Sequence, residues 1–402
     1  MLKKLFIFSD NQKQRLKKNI STQFGSVSVT FLLQFFYPPL MIVFWGIENF
    51  GIWILVTSIP ATINFLNINF SYAARQEMTI FHTKKEFNKV NEIFQNNLLL
   101  IILNIVLYTI IISLIYFFFS PENLHALKNV RLEELNIILI LILLSFNLDI
   151  FNSVLISGIS YLGKLYLSTT IGTLYELIIK SSIIFVGIIY DSLVYAAFVY
   201  LILNVFKTIT LFYYFFKNNK NLKFSFNLLS IKVSKRLFKL SIAPQLENIT
   251  HTLKNSGQIF LFGLFFNPQI IAYVSTCKTL FYFLPIRVTN IFNIVSVYEY
   301  AKLFANKKYS KLKNYHKKHT LFILMLLIIF LIGSASFGEI IYNFWLNNQF
   351  NLSYTLMLVI ALEAAFNLLK VTINITMQSI NKYLKISIIE ICFIFFSMFI
   401  SF

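Results

Sequence analysis

Long apolar runs, separated by short polar connections, follow one another along the whole 402-residue chain. A helix needs about 20 mainly apolar residues to cross a bilayer, and most of the runs reach that length. The pattern therefore predicts eleven membrane-spanning helices, at residues 21–45, 50–70, 94–119, 135–157, 165–189, 192–216, 240–266, 270–298, 320–342, 352–376 and 385–402.

The seventh run departs from this apolar pattern. It reads IAPQLENITHTLKNSGQIFLFGLFF from residue 242 to 266, and Glu247, His251, Lys254 and Gln258 recur in it at helical spacing. At about 100° per residue these four side chains share one face. A charge at bilayer depth costs at least about 2–3 kcal/mol, so it must meet protein or water. We expect this helix to form the wall of a polar cavity; the alternative is that Glu247, His251 and Lys254 pair among themselves.

Composition and charge placement define the class of protein. Hydrophobic residues make up 57% of the chain and charged residues only 13%, which excludes an ordinary soluble domain. The net charge of +19 would fit nucleic-acid binding in a soluble protein, but most of the 35 Lys and Arg residues lie beside the apolar runs, on one side of the membrane. Because basic loops stay in the cytoplasm, the sequence predicts a multi-pass inner-membrane protein with a cytoplasmic N-terminus and no nucleic-acid partner.

Catalytic signatures do not emerge from the sequence. The two cysteines lie in apolar runs, and we find no metal-ligand spacing, nucleotide-binding glycine loop or nucleophile with a base. We therefore predict no enzyme, no metal site and no cofactor.

An internal repeat predicts the domain organisation. The segment Gln14-Arg15-Leu16 resembles Lys235-Arg236-Leu237, Pro60 matches Pro285, and Lys84-Lys85 matches Lys307-Lys308, each about 223 residues further on. Parallel repeats of this kind occur in transporters. We predict two six-helix halves, residues 1–228 and 229–402, the second lacking an expected twelfth helix; chance similarity among simple apolar and basic segments is the alternative.

The second run carries a family resemblance. Phe50-Gly51-Ile52-Trp53 opens it, Asn67-Ile68-Asn69-Phe70 and Ala73-Ala74-Arg75 close it, and together they resemble bacterial polysaccharide flippases. These are the O-antigen and capsule members of the superfamily that also holds multidrug and toxin extrusion transporters and lipid II flippases. That family usually has Asp and Gly where Asn67 and Asn69 stand here.

The resemblance implies an all-α fold of two six-helix lobes around a central cavity that opens alternately to each side. It implies transport of undecaprenyl-diphosphate-linked oligosaccharide from the cytoplasmic to the periplasmic leaflet. The implied partners are this lipid-linked oligosaccharide, membrane lipids, and the polymerase and chain-length regulator of the same pathway.

A pyrophosphate ligand calls for Lys or Arg, and sugars call for amides, hydroxyls and aromatic faces. The seventh and eighth runs carry more basic than acidic residues. We therefore predict substrate-binding residues there, together with an arginine at the cytoplasmic end of the second run: Glu247, His251, Lys254, Gln258, Lys278, Arg287 and Arg75. For the basic segment from Lys232 to Lys239, helix orientation and anionic-lipid contact are the simpler interpretation.

Ionisable residues inside other runs are candidates for coupling transport to an ion gradient: Asp149, Glu176, Lys180, Glu363 and Lys370. Glu176 and Lys180 have the spacing of an intrahelical ion pair, which by itself explains both. Asp149 has no such partner on its own helix. His251 could change charge between pH 5 and 8, so proton coupling through it is one hypothesis; sodium and membrane-potential coupling stay open.

Three further expectations separate the functional classes. Gln23, Ser26, Thr30 and Gln34 form a mild polar stripe on the first run, for which helix packing is the preferred interpretation. A drug or cation antiporter of the same superfamily is the main alternative, and it predicts an acid-dominated cavity in the first half. A membrane oligosaccharide polymerase is a third possibility; it needs catalytic Arg or His on an outer loop, where only His125, Lys128 and Arg131 are available.

Overall fold

The computed structural model describes residues 10–118, 124–219, 222–305, 307–379, 388–390 and 392–393. All regular secondary structure in these ranges is helical. The α-helices are α1 Asp10–Ile63, α2 Phe70–Thr83, α3 Phe87–Phe118, α4 Leu132–Ser160, α5 Leu165–Tyr190, α6 Leu193–Asn218, α7 Ile231–Thr252, α8 Gln258–Phe265, α9 Pro268–Lys278, α10 Leu284–Ala305, α11 Tyr309–Trp345 and α12 Tyr354–Ser379. The protein is therefore an all-α polytopic membrane protein, as predicted.

Seven helical segments of the described chain are long and apolar enough to cross a membrane: Lys18–Ile63, Phe87–Phe118, Leu132–Ser160, Leu165–Tyr190, Leu193–Asn218, Tyr309–Trp345 and Tyr354–Met377. The first of them contains the first predicted span, 21–45, and residues 50–63 of the second. The seventh and eighth predicted spans fall on α7 to α10, which carry more polar residues. The eleventh, 385–402, lies outside the described residues except for 388–390 and 392–393.

Helical geometry is interrupted within α1 at Gly46, the first residue of the connection predicted at 46–49. Gly46 has non-helical backbone angles, φ 78° and ψ 162°, so two helical segments meet there at a kink. This backbone conformation is open to glycine because glycine lacks a Cβ atom. The predicted break between the first two spans is therefore present, and its non-helical angles lie at Gly46.

The second predicted span breaks before its end. A 3₁₀ turn, Asn64–Leu66, follows α1, and α2 starts at Phe70 with Asn69 accepting a hydrogen bond from the Tyr72 amide at 3.2 Å. Asn67 donates to the Asn64 side chain at 3.0 Å and accepts from Asn104 on α3. Irregular backbone at membrane depth needs such protein partners. The Asn67-Ile68-Asn69 motif therefore builds a helix break.

The chain forms two compact units. The first comprises Met1–Leu33 and Phe44–Pro268, and the second comprises Gln34–Val43 and Gln269–Phe402. This division places α7 and α8 in the first unit. The repeat-based boundary between residues 228 and 229 stays a prediction.

Helices α4 and α6 meet closely at one end of the first unit. A Cβ atom on Gly158 would lie 2.3 Å from the Phe215 ring, which stacks on Phe94 with centroids 5.4 Å apart. Asn219 donates to the Gly158 carbonyl at 2.6 Å and accepts from the Tyr161 hydroxyl at 2.9 Å. Burial raises the pKa of Tyr161 to about 12. This contact depends on the small size of Gly158.

We predict that Gly158→Val destabilises the protein by about 1–3 kcal/mol, because the added methyl groups must displace the Phe215 ring. Gly172→Val is the matched control, since a Cβ atom there meets nothing within 4 Å. Thermal unfolding of the purified protein measures both. Equal melting temperatures for the two variants would contradict the packing described here.

Candidate functional site

A ladder of hydrogen bonds joins α1 to α5. Gln23 donates to Thr169 at 3.0 Å, Thr173 donates to Ser26 at 2.7 Å, and Thr30 donates to Glu176 at 3.4 Å. The polar stripe on the first run therefore holds two helices together, which confirms the packing interpretation for its first three residues. Gln34, the fourth, belongs to the second unit.

The ladder ends at an ion pair on α5. Lys180 Nζ lies 2.8 Å from Glu176 Oε1, one helical turn away, as the spacing predicted. Glu176 thus has a cation and a hydroxyl as partners. A coupling role for these two residues stays a prediction.

Asp149 on α4 forms a second ion pair. Its Oδ1 lies 2.7 Å from Nζ of Lys207 on α6. The sequence offered no partner for Asp149 on its own helix, and the partner comes from 58 residues away. Asp149 is therefore charge-compensated, and its proposed coupling role must include Lys207.

Buried amides lie on the same two helices. Neither polar atom of the Asn152 side chain, which is 1% exposed, has a hydrogen-bond partner among the described residues. The Oδ1 atoms of Asn147 and Asn204 are likewise buried without a partner. An unsatisfied buried polar group costs about 1–3 kcal/mol. Water, an ion or a polar substrate would relieve this cost.

The stripe predicted on the seventh run is interrupted by a wide helical turn. A π-helical segment, Leu253–Gly257, separates α7 from α8. Its i→i+5 bonding adds a residue to the turn. Gln258 is therefore rotated about the helix axis away from the position that an uninterrupted α-helix would give it. The prediction of one continuous face therefore fails across this turn, while His251 and Lys254 lie on either side of its start.

The residues of this stripe differ in exposure. His251 is exposed, and its ring lies 3.1 Å from Asn255 Nδ2, whereas Lys254 and Gln258 are half-buried. The Glu247 side chain is outside the described part of the structure. Pairing of Glu247 with His251 or Lys254, and substrate binding by these residues, both stay predictions.

The second unit contains another π-helical segment, Thr279–Phe283, directly after Lys278. Lys278 is buried, and its ammonium group lies 5.8 Å from the centroid of the Tyr282 ring. Arg287, one turn after the end of the π-helical segment, is half-buried. Single π-helical turns inside helices often mark functional sites. Each of the two here contains or adjoins a predicted substrate-binding lysine.

The acidic and basic residues of α12 have different surroundings. Glu363 is half-buried. Lys370 Nζ lies 3.0 Å from Glu390, which also accepts a hydrogen bond from Asn374 at 3.0 Å. This tertiary ion pair was not anticipated from the sequence.

Two basic residues lie near the start of α2 and α7. The Arg75 guanidinium lies 5.2 Å from the centroid of the Tyr72 ring on the same helix. Arg236 forms an ion pair with Glu77 at 2.7 Å. Sequence reasoning missed this second contact, although both residues stand in segments predicted to share the cytoplasmic side.

Comparison with known proteins places the fold. No protein-family model matches the chain, and no curated protein matches it. A solved structure described as the inward-facing conformation of a multidrug resistance MATE family transporter of the MOP superfamily has a TM-score of 0.66 and 14% identity, over 94% of this chain and 86% of that chain.

The chain has a MATE transporter fold. MATE structures in bent and straight conformations give TM-scores of 0.58 and 0.54, each at 14% identity over 95% of this chain, covering 85% and 86% of their own chains. At 14% identity this likeness shows the fold alone, and it does not single out the polysaccharide flippases.

We predict that Asp149→Asn and Lys207→Gln each destabilise the first unit, because each leaves one charge without its partner. The loss should be about 1–3 kcal/mol, less than for a fully buried pair, since both side chains are partly exposed. The double variant should recover most of it. Thermal unfolding of the four proteins gives the coupling energy.

The control for this double-mutant cycle is an exposed ion pair, in which Lys89 lies 2.6 Å from Glu86. Lys89→Gln should change stability by less than about 1 kcal/mol. Additive effects of the Asp149 and Lys207 substitutions would show that the two charges do not stabilise each other.

Proposed function

We propose that this protein is an alternating-access transporter of the MOP superfamily. The main support for this proposal is the likeness of the fold to a MATE transporter over 94% of the chain. The arrangement of charges supports it: ionisable residues on membrane-spanning helices are costly and usually serve transport.

For the substrate, the comparisons favour the drug antiporter alternative over the polysaccharide interpretation. The structure with the TM-score of 0.66 is described as a multidrug resistance transporter. On this proposal the cargo is an amphipathic organic cation. To bind it, the protein needs a carboxylate that is free of other cations in at least one conformation.

The charges of the described residues favour the second candidate, an undecaprenyl-diphosphate-linked oligosaccharide. The acids predicted within the first six spans, Asp149 and Glu176, each have a lysine partner. Arg287 is half-buried, and no described carboxylate forms an ion pair with it. An unpaired guanidinium in a span calls for water or an anion. The resemblance at residues 50–53 and 67–75 points the same way.

Transport into proteoliposomes separates the two substrates. The flippase proposal predicts that a fluorescent lipid-linked oligosaccharide becomes protected in the inner leaflet only with the protein present, while ethidium is not accumulated. The antiporter proposal predicts the reverse. If neither probe moves under a proton, sodium or potential gradient, the transporter proposal fails.

Arg287 provides the residue-level test. Arg287→Gln should lower transport of the diphosphate substrate about 10-fold or more, because a hydrogen bond to a charged group contributes about 1.5–3 kcal/mol. Arg287→Lys should retain part of the activity, and the exposed Lys317→Gln should retain all of it. Unchanged transport by Arg287→Gln would remove this residue from the substrate site.

His251 allows a separate test of proton coupling. We predict that His251→Gln flattens the dependence of transport rate on pH between pH 5 and 8, because histidine is the side chain whose unperturbed pKa lies in that range. His125→Gln, in the connection between α3 and α4, is the control. A pH profile that is unchanged in His251→Gln would exclude coupling through this residue.

A further inference from the structure

The first three turns of α7 are firmly anchored to the first unit. The Asn96 side chain on α3 donates to the Leu228 carbonyl at 3.0 Å and accepts from the Ser230 amide at 3.0 Å and the Ser234 hydroxyl at 2.9 Å. Gln95 accepts from the Leu228 amide at 2.8 Å. Both side chains are buried, so they fix the segment that enters α7 as well as the first turn of the helix.

Packing fixes the rotation of α7 about its own axis. Val233, Leu237 and Ser241 are buried, and the first two join the hydrophobic core of the first unit. Arg236 points to Glu77, with which it forms an ion pair at 2.7 Å. Because these contacts define the inner face, the residues on the opposite side are held outward.

Two adjoining strips make up that outward side. Lys232, Lys235 and Lys239, the basic strip, are exposed and fall within about 60° of one another on a helix. Ile231, Phe238 and Ile242, the apolar strip, fall within about 40° beside it and are 77%, 47% and 39% exposed. No carboxylate of the described residues forms an ion pair with a lysine of the basic strip.

An exposed apolar strip flanked by lysines is the pattern of a helix at a membrane interface. The apolar side chains enter the acyl region, while lysines extend to the headgroups. Each lysine near an anionic membrane surface favours it by several-fold in affinity. The predicted topology puts this face at the cytoplasmic leaflet.

We propose that the basic and apolar strips of α7 form a binding surface for anionic phospholipids, the basic strip recognising headgroup phosphates. Because the surface is anchored through Asn96 and Glu77, bound lipid contacts the same structural unit that holds the Asp149–Lys207 pair. This inference is independent of the transported substrate.

The test uses the full-length protein in nanodiscs of phosphatidylcholine and phosphatidylglycerol, with Ile231→Trp as a reporter in the apolar strip. Brominated acyl chains are placed on one lipid or the other, and the quenching of the native tryptophans is subtracted using the protein without the reporter. We expect brominated phosphatidylglycerol to quench the reporter more strongly than brominated phosphatidylcholine. Per mole of each lipid in the nanodisc, the difference should be about 10-fold or more.

Substitution of all three lysines of the basic strip by glutamine should bring this preference close to one, whereas substitution by arginine should retain it. Lys311→Gln, Lys313→Gln and Lys317→Gln together remove the same charge from exposed positions on α11 and should leave the preference unchanged. Raising the salt concentration should weaken the preference in the unsubstituted protein.

Equal quenching by the two lipids would overturn the proposal. An equal loss of preference in the α7 and α11 variants would also overturn it, because net charge and not this surface would then select the lipid. A reporter quenched by neither lipid would show that protein, or a second copy of the chain, covers the strip.

Discussion

Hydrocarbon offers no hydrogen bonds, so every polar group within the membrane must find its partner in the protein or in enclosed water. The first unit meets this constraint with tertiary pairs: Asp149 with Lys207, Glu176 with Thr30 and Lys180, and Asn67 with Asn104. These pairs connect α1 to α5, α4 to α6 and the helix break to α3. The polar residues of the spans are therefore part of what holds the unit together.

The same constraint explains where helices can depart from regular geometry. The break at Asn67 is tolerated because Asn104 on α3 donates to the Asn67 side chain and to the Ile68 carbonyl. One turn further along α3, Tyr108 donates to the carbonyl of Pro60 in α1 at 2.7 Å. The π-helical turns at Leu253–Gly257 and Thr279–Phe283 lie beside Lys254 and Lys278. Backbone irregularity and charge thus occur together, which is the combination that transporters use for binding sites.

Local periodicity allowed correct prediction of most spans, of the Glu176–Lys180 pair and of packing through Gln23, Ser26 and Thr30. Each depends only on residues within a few turns of one helix. The Asp149–Lys207 pair, the anchoring of Ser230 by Asn96 and the π-helical turns depend on distant residues or on tertiary packing. The break between the first two spans was also predicted, because glycine readily adopts the non-helical angles that the chain has at Gly46.

The compensated acids also limit how a cation could be carried. A cation that binds Asp149 must displace Lys207, which is tethered 2.7 Å away and competes at a high effective concentration. Binding would then require a conformation in which Lys207 no longer contacts Asp149. The free energy needed to separate the pair would weaken the binding of the cargo. An anionic cargo faces no such competition at Arg287, where no described carboxylate must first be removed. If the protein is a transporter as proposed, the charges of the described residues therefore disfavour a cationic cargo at Asp149, and this makes substrate charge the decisive property.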